Sequence, residues 1–494
     1  MEKFISLLVF CTLFFNVQNS MIEGYENLPE IDAWWGPKDE QANQDTSIRP
    51  FKVRFEDEMV EDLRYRLKNH RPFTPPLEGS NFTYGFNTNN MENWVNYWAD
   101  SYNFTEREAH FNKFPHYKTN IQGLDIHFIW IKQENVPAGV QVIPMMMLHG
   151  WPGSIMEFYK AIPLLTAASE DRDYVVELIV PSLPGFGFSQ GAVRKGMGGS
   201  EIAVVLRNLM HRIGHQKFYL QGGDWGSHIC KLIATLFPNE VLGYHTNYAI
   251  SYSPAPYAMW IMGSINEAFQ SLVVEPQVAD RLYPFLNFFK GSLLGNGYMH
   301  LQATKPDTIG VAMSDSPSGL LAYVLQIVSS ATRSDYTNRE DGGLYEKYTQ
   351  DELIDDLMVY WVNNAFTTAI RIYSETYNVR NIEMGVLAIP TNVPLWLLQG
   401  KSELRYQSPK MLQFKYTNIL NTTVLDTGGH FFALELPEIF SDNVLTALTA
   451  FRQYWSNKIG CVKKIEPLNP ETIARPIIDF ACKHFPLDSH LKKN

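Results

Sequence analysis

Asp224 stands in the segment Gly222-Gly223-Asp224-Trp225-Gly226, between the apolar run Phe218 to Gln221 and a longer apolar stretch that ends at Pro238. Small residues at 222 and 226 let a chain turn sharply from strand to helix, which lifts the side chain at 224 to the sheet edge as a nucleophile elbow. A serine in that place attacks acyl groups. An aspartate is a carboxylate nucleophile, which displaces a leaving group at saturated carbon and is left as an alkyl ester. Taken alone, the same residues also describe a glycine-rich turn with an aspartate capping a helix.

An alkyl ester must be cleared by water, and water needs a base. His430 follows the apolar stretch Thr423-Val424-Leu425 through Gly428-Gly429, and Glu403 follows Val393 to Gln399 through Gly400-Lys401-Ser402. An imidazole held by a carboxylate can take the proton of water, the carboxylate fixing the tautomer and steadying the imidazolium. A lone histidine after a turn, or a lone glutamate, reads as an ordinary surface residue. Asp224, Glu403 and His430 together keep the chain order nucleophile, acid, histidine that an elbow of this kind requires. Ester hydrolysis also passes through an oxyanion, which the backbone N–H after the nucleophile and another in the loop after an earlier strand can hold. Those are Trp225 and, in His149-Gly150-Trp151-Pro152-Gly153-Ser154, Trp151. The second motif is otherwise a tight turn of glycine and proline.

The elements that must hold these residues follow from the apolar pattern. Ile143 to Leu148, Val175 to Val180, Phe218 to Gln221 and Val393 to Gln399 are short apolar runs ending in turns, with helical stretches between them. They read as buried parallel strands of a doubly wound, mostly parallel α/β sheet, whose ligands sit beyond the strands' carboxyl ends. The strand signal vanishes between about 252 and 388, where helical, aromatic-rich sequence reads as a cap inserted between two parts of the sheet domain. The resulting plan is an N-terminal lead-in over 21–137, a first core part over 138–251, the cap over 252–388, a second core part over 389–456 and an extension over 457–494. In the lead-in, the spacing of Met59, Val60, Leu63 and Leu67 among charges predicts an amphipathic helix over Glu56 to Asn69.

With 494 residues, 45% of them hydrophobic, the chain can bury one large core or two smaller ones, and its net charge of −11 without a basic patch excludes a nucleic-acid binder. Lys3, the apolar run Phe4 to Phe15 and the polar return at Asn16 to Ser20 follow signal-peptide grammar over 1–20. The alternative is a membrane anchor, which is disfavoured because such a run reaches only about 21 Å against a hydrocarbon core of roughly 30 Å. A secreted or lumenal location is therefore expected, with membrane anchoring in the endoplasmic reticulum as the alternative. Asn81, Asn103 and Asn421 head glycosylation triplets compatible with a lumenal route. Cys230 is expected on a buried helix. Cys461 and Cys482 form a close pair in the tail that is expected to be a disulfide on an oxidising secretory route, the alternative being two unrelated buried thiols.

The chain resembles microsomal epoxide hydrolase and its insect relatives, the juvenile hormone epoxide hydrolases. The likeness runs from Trp34-Trp35-Gly36-Pro37 to about residue 455. It includes Ser47-Ile48-Arg49-Pro50-Phe51, Gly123 to Phe128, His149 to Ser154, Pro184-Gly185-Phe186-Gly187-Phe188-Ser189, the elbow, Gly297-Tyr298-Met299-His300 and Gly428-Gly429-His430-Phe431. The resemblance implies the α/β-hydrolase fold and conversion of apolar epoxides to vicinal diols. No metal or organic cofactor is expected, since nucleophile, base and acids are all side chains and the sequence has no histidine and cysteine cluster at metal-ligand spacing. The resemblance also implies what spacing could not: that Tyr298 and Tyr373 in the cap hydrogen-bond the epoxide oxygen and protonate the alkoxide. The sequence departs from the mammalian members at the N-terminus, where theirs is a longer membrane anchor, and in the tail past about 457, which puts the family's membrane location in doubt. Two other readings stay open. A haloalkane dehalogenase shares the fold and the aspartyl ester but needs no acid, so it predicts that the two tyrosines do not face Asp224. A non-catalytic binder of apolar ligands predicts a missing triad member.

Overall fold

The structure is a computed structural model that describes residues 28–378, 381 and 385–465, with side chains as far as Lys458. The runs at 143–148, 175–180, 218–221 and 393–399 fall on strands that are buried on both faces, Thr423 and Val424 close a partly exposed edge strand, and all of these belong to one nine-stranded sheet. In chain order the strands are β1 (Arg49–Phe51), β2 (His116–Ile121), β3 (Leu124–Ile131), β4 (Gln141–Leu148), β5 (Tyr174–Pro181), β6 (Phe218–Gly222), β7 (Val241–Thr246), β8 (Leu395–Gln399) and β9 (Ile419–Val424). Their order across the sheet is β1-β2-β3-β5-β4-β6-β7-β8-β9. From β5 to β9 all neighbours are parallel, while β1, β2 and β3 join the β5 edge antiparallel.

Two parts of this sheet were not apparent from periodicity. The lead-in does more than wrap a core, because β2 and β3 form a hairpin around Gln122 and Gly123, both at positive φ (53° and 88°). A Gln-Gly pair is weaker punctuation than the Asn-Gly or Asp-Gly that usually marks such a turn. Strand β7 reads Val-Leu-Gly-Tyr-His-Thr, too mixed to register as a buried run, although all of it except Leu242 is buried between β6 and β8.

Helix α1 (Asp57–Lys68) buries Val60, Leu63 and Leu67 and leaves Met59 half-buried. Helix α2 (Asp224–Leu236) starts at the elbow and buries Cys230 completely. Among the described residues of 252–388 there is no strand. Its helices include α3 (Pro254–Ile265), α4 (Phe285–Gly295), α5 (Gly297–Thr304), α6 (Pro317–Thr332), α7 (Gln350–Trp361) and α8 (Phe366–Thr376).

The chain divides into two compact units at Leu445 and Thr446. The first holds the sheet and all of the helices α1 to α8. The second, in its described part, is helical as far as Ile465, with the Tyr454 and Trp455 rings edge to face at 5.2 Å and Lys458 over both.

Residues 1–20 and Cys482 lie outside the described residues, as does the side chain of Cys461. Among the described residues no helix is long and apolar enough to cross a membrane. Asn103 and Asn421 are exposed, whereas Asn81 is half-buried and its Nδ2 donates to Asn338 O at 2.7 Å.

Candidate active site

At the end of β6 the backbone reverses into α2 with Asp224 at φ +45°, a left-handed conformation that costs a side-chain-bearing residue on the order of 1–3 kcal/mol. The close packing around the turn holds it there. A Cβ on Gly226 would lie 1.9 Å from Leu148 O, so only glycine lets the first turn of α2 approach the end of β4. A Cβ on Gly150 would lie 2.3 Å from Asp224 Oδ1. That space belongs to the carboxylate, which there accepts the Trp151 N–H at 2.8 Å. Trp225 is the second residue of α2, so its N–H is one of the first-turn amides that have no partner within a helix.

The other carboxylate oxygen, Oδ2, faces His430 Nε2 at 3.4 Å, and His430 Nδ1 lies 2.6 Å from Glu403 Oε1. The side chains of His430 and Glu403 are 3% and 5% exposed and that of Asp224 is 23% exposed, so the imidazole and its carboxylate partner are sealed while the Asp224 carboxylate stays accessible. Burial disfavours the imidazolium, but the charges of Glu403 and Asp224 and their hydrogen bonds outweigh it and hold the His430 pKa well above its ordinary value. The two loops that carry the pair are tied together, since the Lys401 and Ser402 N–H groups donate to Thr427 O (3.1 Å) and Gly428 O (2.9 Å).

The cap closes this space with rings. Tyr298, at the start of α5, stacks on Trp151 with centroids 5.3 Å apart. Tyr373, on α8, meets Trp151 edge-on at 5.8 Å and Trp225 at 4.8 Å. The two tyrosine rings also meet each other edge to face, with centroids 6.3 Å apart. Burial, together with the nearby charge of Asp224, raises both phenol pKa values, so both hydroxyls keep their protons at neutral pH and can donate them.

All seven residues singled out from the sequence thus fall in one place: Asp224, Glu403, His430, Trp151, Trp225, Tyr298 and Tyr373. Sequence reasoning missed Glu435, whose buried carboxylate accepts the N–H groups of Gly429 (2.8 Å) and Phe431 (3.0 Å). Its only signal is one acid within the apolar run Phe431-Phe432-Ala433-Leu434-Glu435-Leu436. It also missed Tyr248, whose ring meets that of His430 at 90° and 5.5 Å. A separate cavity of about 330 Å³ adjoins the His430 loop through Phe431 and Leu434, and none of the seven residues lines it.

Comparison with known proteins gives this arrangement its relatives. The family model for the epoxide hydrolase N terminus matches residues 48–158, and that for the alpha/beta hydrolase fold matches residues 143–277. Juvenile hormone epoxide hydrolase of Bombyx mori is 49% identical over 424 residues, 86% of this chain and 91% of that protein. Epoxide hydrolase 1 of Sus scrofa is 40% identical, covering 84% of this chain and 91% of its own length. The crystal structure of the silkworm enzyme superposes with a TM-score of 0.84 at 48% identity, over 86% of this chain and 100% of that one. The Aspergillus niger epoxide hydrolase shares the fold, with a TM-score of 0.65 at 24% identity. On these findings the chain belongs to the epoxide hydrolase family of the α/β-hydrolase fold.

Proposed function

We propose that the protein converts apolar epoxides of xenobiotic, lipid or hormone type to vicinal diols through an ester on Asp224. Oδ2 of Asp224 attacks a ring carbon and the C–O bond breaks. Tyr298 and Tyr373 hydrogen-bond the oxygen that leaves, and one of them gives it a proton, since an alkoxide is a poor leaving group without an acid. His430, steadied by Glu403, then takes a proton from water as the water attacks Cγ of the ester. The oxyanion forms on Oδ1, where the Trp151 N–H already donates and the Trp225 N–H adjoins. Collapse of that intermediate passes the proton on His430 to the departing alkoxide and releases the diol, and the proton left on the new carboxyl group returns to the tyrosine, so the carboxylate is restored with one oxygen from water.

The observation that carries this reading is the unbroken line from the Trp151 N–H through both oxygens of Asp224 to His430 and Glu403, at 2.8, 3.4 and 2.6 Å. Phenols packed against both flanking tryptophans favour an acid-assisted ring opening over departure of a halide. The relatives named for epoxide hydrolysis support the same chemistry. The N-terminal apolar run and the acceptor triplets favour a secretory or lumenal route for the enzyme.

The test is intact-mass spectrometry of His430→Gln incubated with styrene oxide. The variant is expected to gain the mass of one epoxide, located on the peptide that contains Asp224, while the wild type releases diol. An unmodified variant and no diol from the wild type with aryl, fatty-acid and terpenoid epoxides would sink the reading.

A further inference from the structure

We propose that Glu435 is a positioning residue for the base, gripping the backbone on both sides of His430 so that the imidazole stays between Glu403 and Asp224. The inference rests on the proposed role of His430. Its ground is geometric. Oε2 accepts the Gly429 N–H at 2.8 Å and Oε1 accepts the Phe431 N–H at 3.0 Å, so one carboxylate spans the peptides before and after the histidine. The amide of His430 itself donates to Ala331 O at 3.1 Å, in the last turn of α6. Three successive N–H groups are therefore fixed on acceptors that do not belong to the loop backbone, and the torsions that aim the imidazole have little room to vary.

Glu435 is placed for this by the short helix Phe432–Glu435, which returns its side chain over the loop it has just left. Its own N–H donates to Phe431 O at 2.9 Å, closing the turn. Glu435 is only 9% exposed, and burying a carboxylate among apolar neighbours is costly. Satisfying two loop amides does not by itself require a charge, since a glutamine and a water could divide the task. Only a carboxylate offers two oxygens in one plane with no donor among them, and bonds of N–H to an anion are shorter and stronger than neutral ones. The charged and titratable groups that act on it or on its neighbours are Glu403, His430, Glu157 and Tyr348. Burial raises its pKa to about 7 against the pull of the two N–H groups, so it is partly ionised near neutral pH, where its charge adds to that of Glu403 in steadying an imidazolium.

The test separates the two half-reactions by rapid quench with styrene oxide in the full-length wild type, Glu435→Gln and His430→Gln. Glutamine keeps one acceptor oxygen and turns an NH2 toward the other amide, so the loop loses half of its grip. Ester formation on Asp224 in Glu435→Gln is expected within twofold of wild type, because Asp224 and the tyrosines are untouched. Ester hydrolysis is expected to slow about tenfold, as befits loss of a hydrogen bond to a charged group, with its pH midpoint moved to lower pH because a negative charge near the imidazolium is gone. A fold-only role predicts instead that both steps fall by the same factor with an unchanged midpoint, and that result overturns the inference. So does ester hydrolysis within twofold of wild type. If Glu435→Gln fails to fold, Glu435→Asp, which keeps the charge but is one methylene short, must show the same selective loss in hydrolysis. Absence of any Asp224 ester in wild type and in His430→Gln overturns the inference by removing the mechanism beneath it, and is distinguishable because it appears without any change at 435.

Discussion

The ends of β4, β6, β8 and β9 and the helices of the cap meet around Asp224, but they hold their residues by different means. On the sheet side each group comes within a few residues of a paired strand and is fixed by hydrogen bonds: Trp151 N–H to Asp224, Ser402 N–H to Gly428 O, Glu435 to the His430 loop. On the cap side Tyr298 and Tyr373 project from helices and are fixed by ring packing on Trp151 and Trp225. Directional bonds set a position to a fraction of an ångström, whereas ring faces tolerate sliding. On the proposed mechanism, the half that forms and cleaves the covalent bond is the one held by directional bonds, and the half that faces the rest of the substrate is the one held by ring packing.

That contrast can be broken by experiment. Asp224→Ala should lower diol formation at least ~10³-fold, since removing a covalent nucleophile leaves only what the rest of the site can do; retention of a tenth of the activity would show that the sheet side is not where the bond forms. Tyr298→Phe and Tyr373→Phe together should cost about 10²–10⁴-fold, the range for a positioned general acid. Each alone should cost much less, because the hydroxyls share the oxygen. A single change as damaging as the pair, in steady-state kinetics, would mean that the cap is no more tolerant than the sheet.

A pH profile sharpens the same comparison. The His430 pKa is raised by Glu403 and Asp224, so below the raised value the imidazole is protonated and cannot act as a base. In the proposed mechanism, esterification would remove the charge of Asp224, which would lower that pKa and free His430 to act as the base when it is needed. In Glu403→Gln the midpoint for ester hydrolysis should move to lower pH while the plateau rate falls, and a midpoint moving upward would refute the assignment. The smallest effect on catalysis should come from Leu63→Ala in α1. Leu63 is fully buried, so about 2–5 kcal/mol of stability should be lost in chemical denaturation, with the rate per folded molecule unchanged.

Legibility in the sequence followed the same division. Asp224, Glu403 and His430 could be found because strand ends are marked by apolar runs followed by Gly222-Gly223, Gly400 and Gly428-Gly429, and because the order of the three is constrained. Tyr298 and Tyr373 could not be picked from 25 tyrosines by any pattern, since a residue on a cap helix reaches the site only through tertiary packing. They came from resemblance alone. Strand β7 was hidden by its glycine and histidine, and β1 to β3 by a turn of uncommon composition. Glu435 was hidden because a buried acid is recognised by what it accepts, and the amides of Gly429 and Phe431 carry no mark of their own in a sequence.

The bond from the His430 N–H to Ala331 O has a mechanical consequence. It fastens the base to the end of α6, and the fit is tight, because a Cβ on Gly429 would lie 2.3 Å from Thr332 O. A cap swinging away as one lid would tear this joint and leave a buried amide without an acceptor. The corner formed by α6 and the His430 loop is therefore a joint between cap and sheet, and an opening that leaves this bond intact has to come from the helices farther from it.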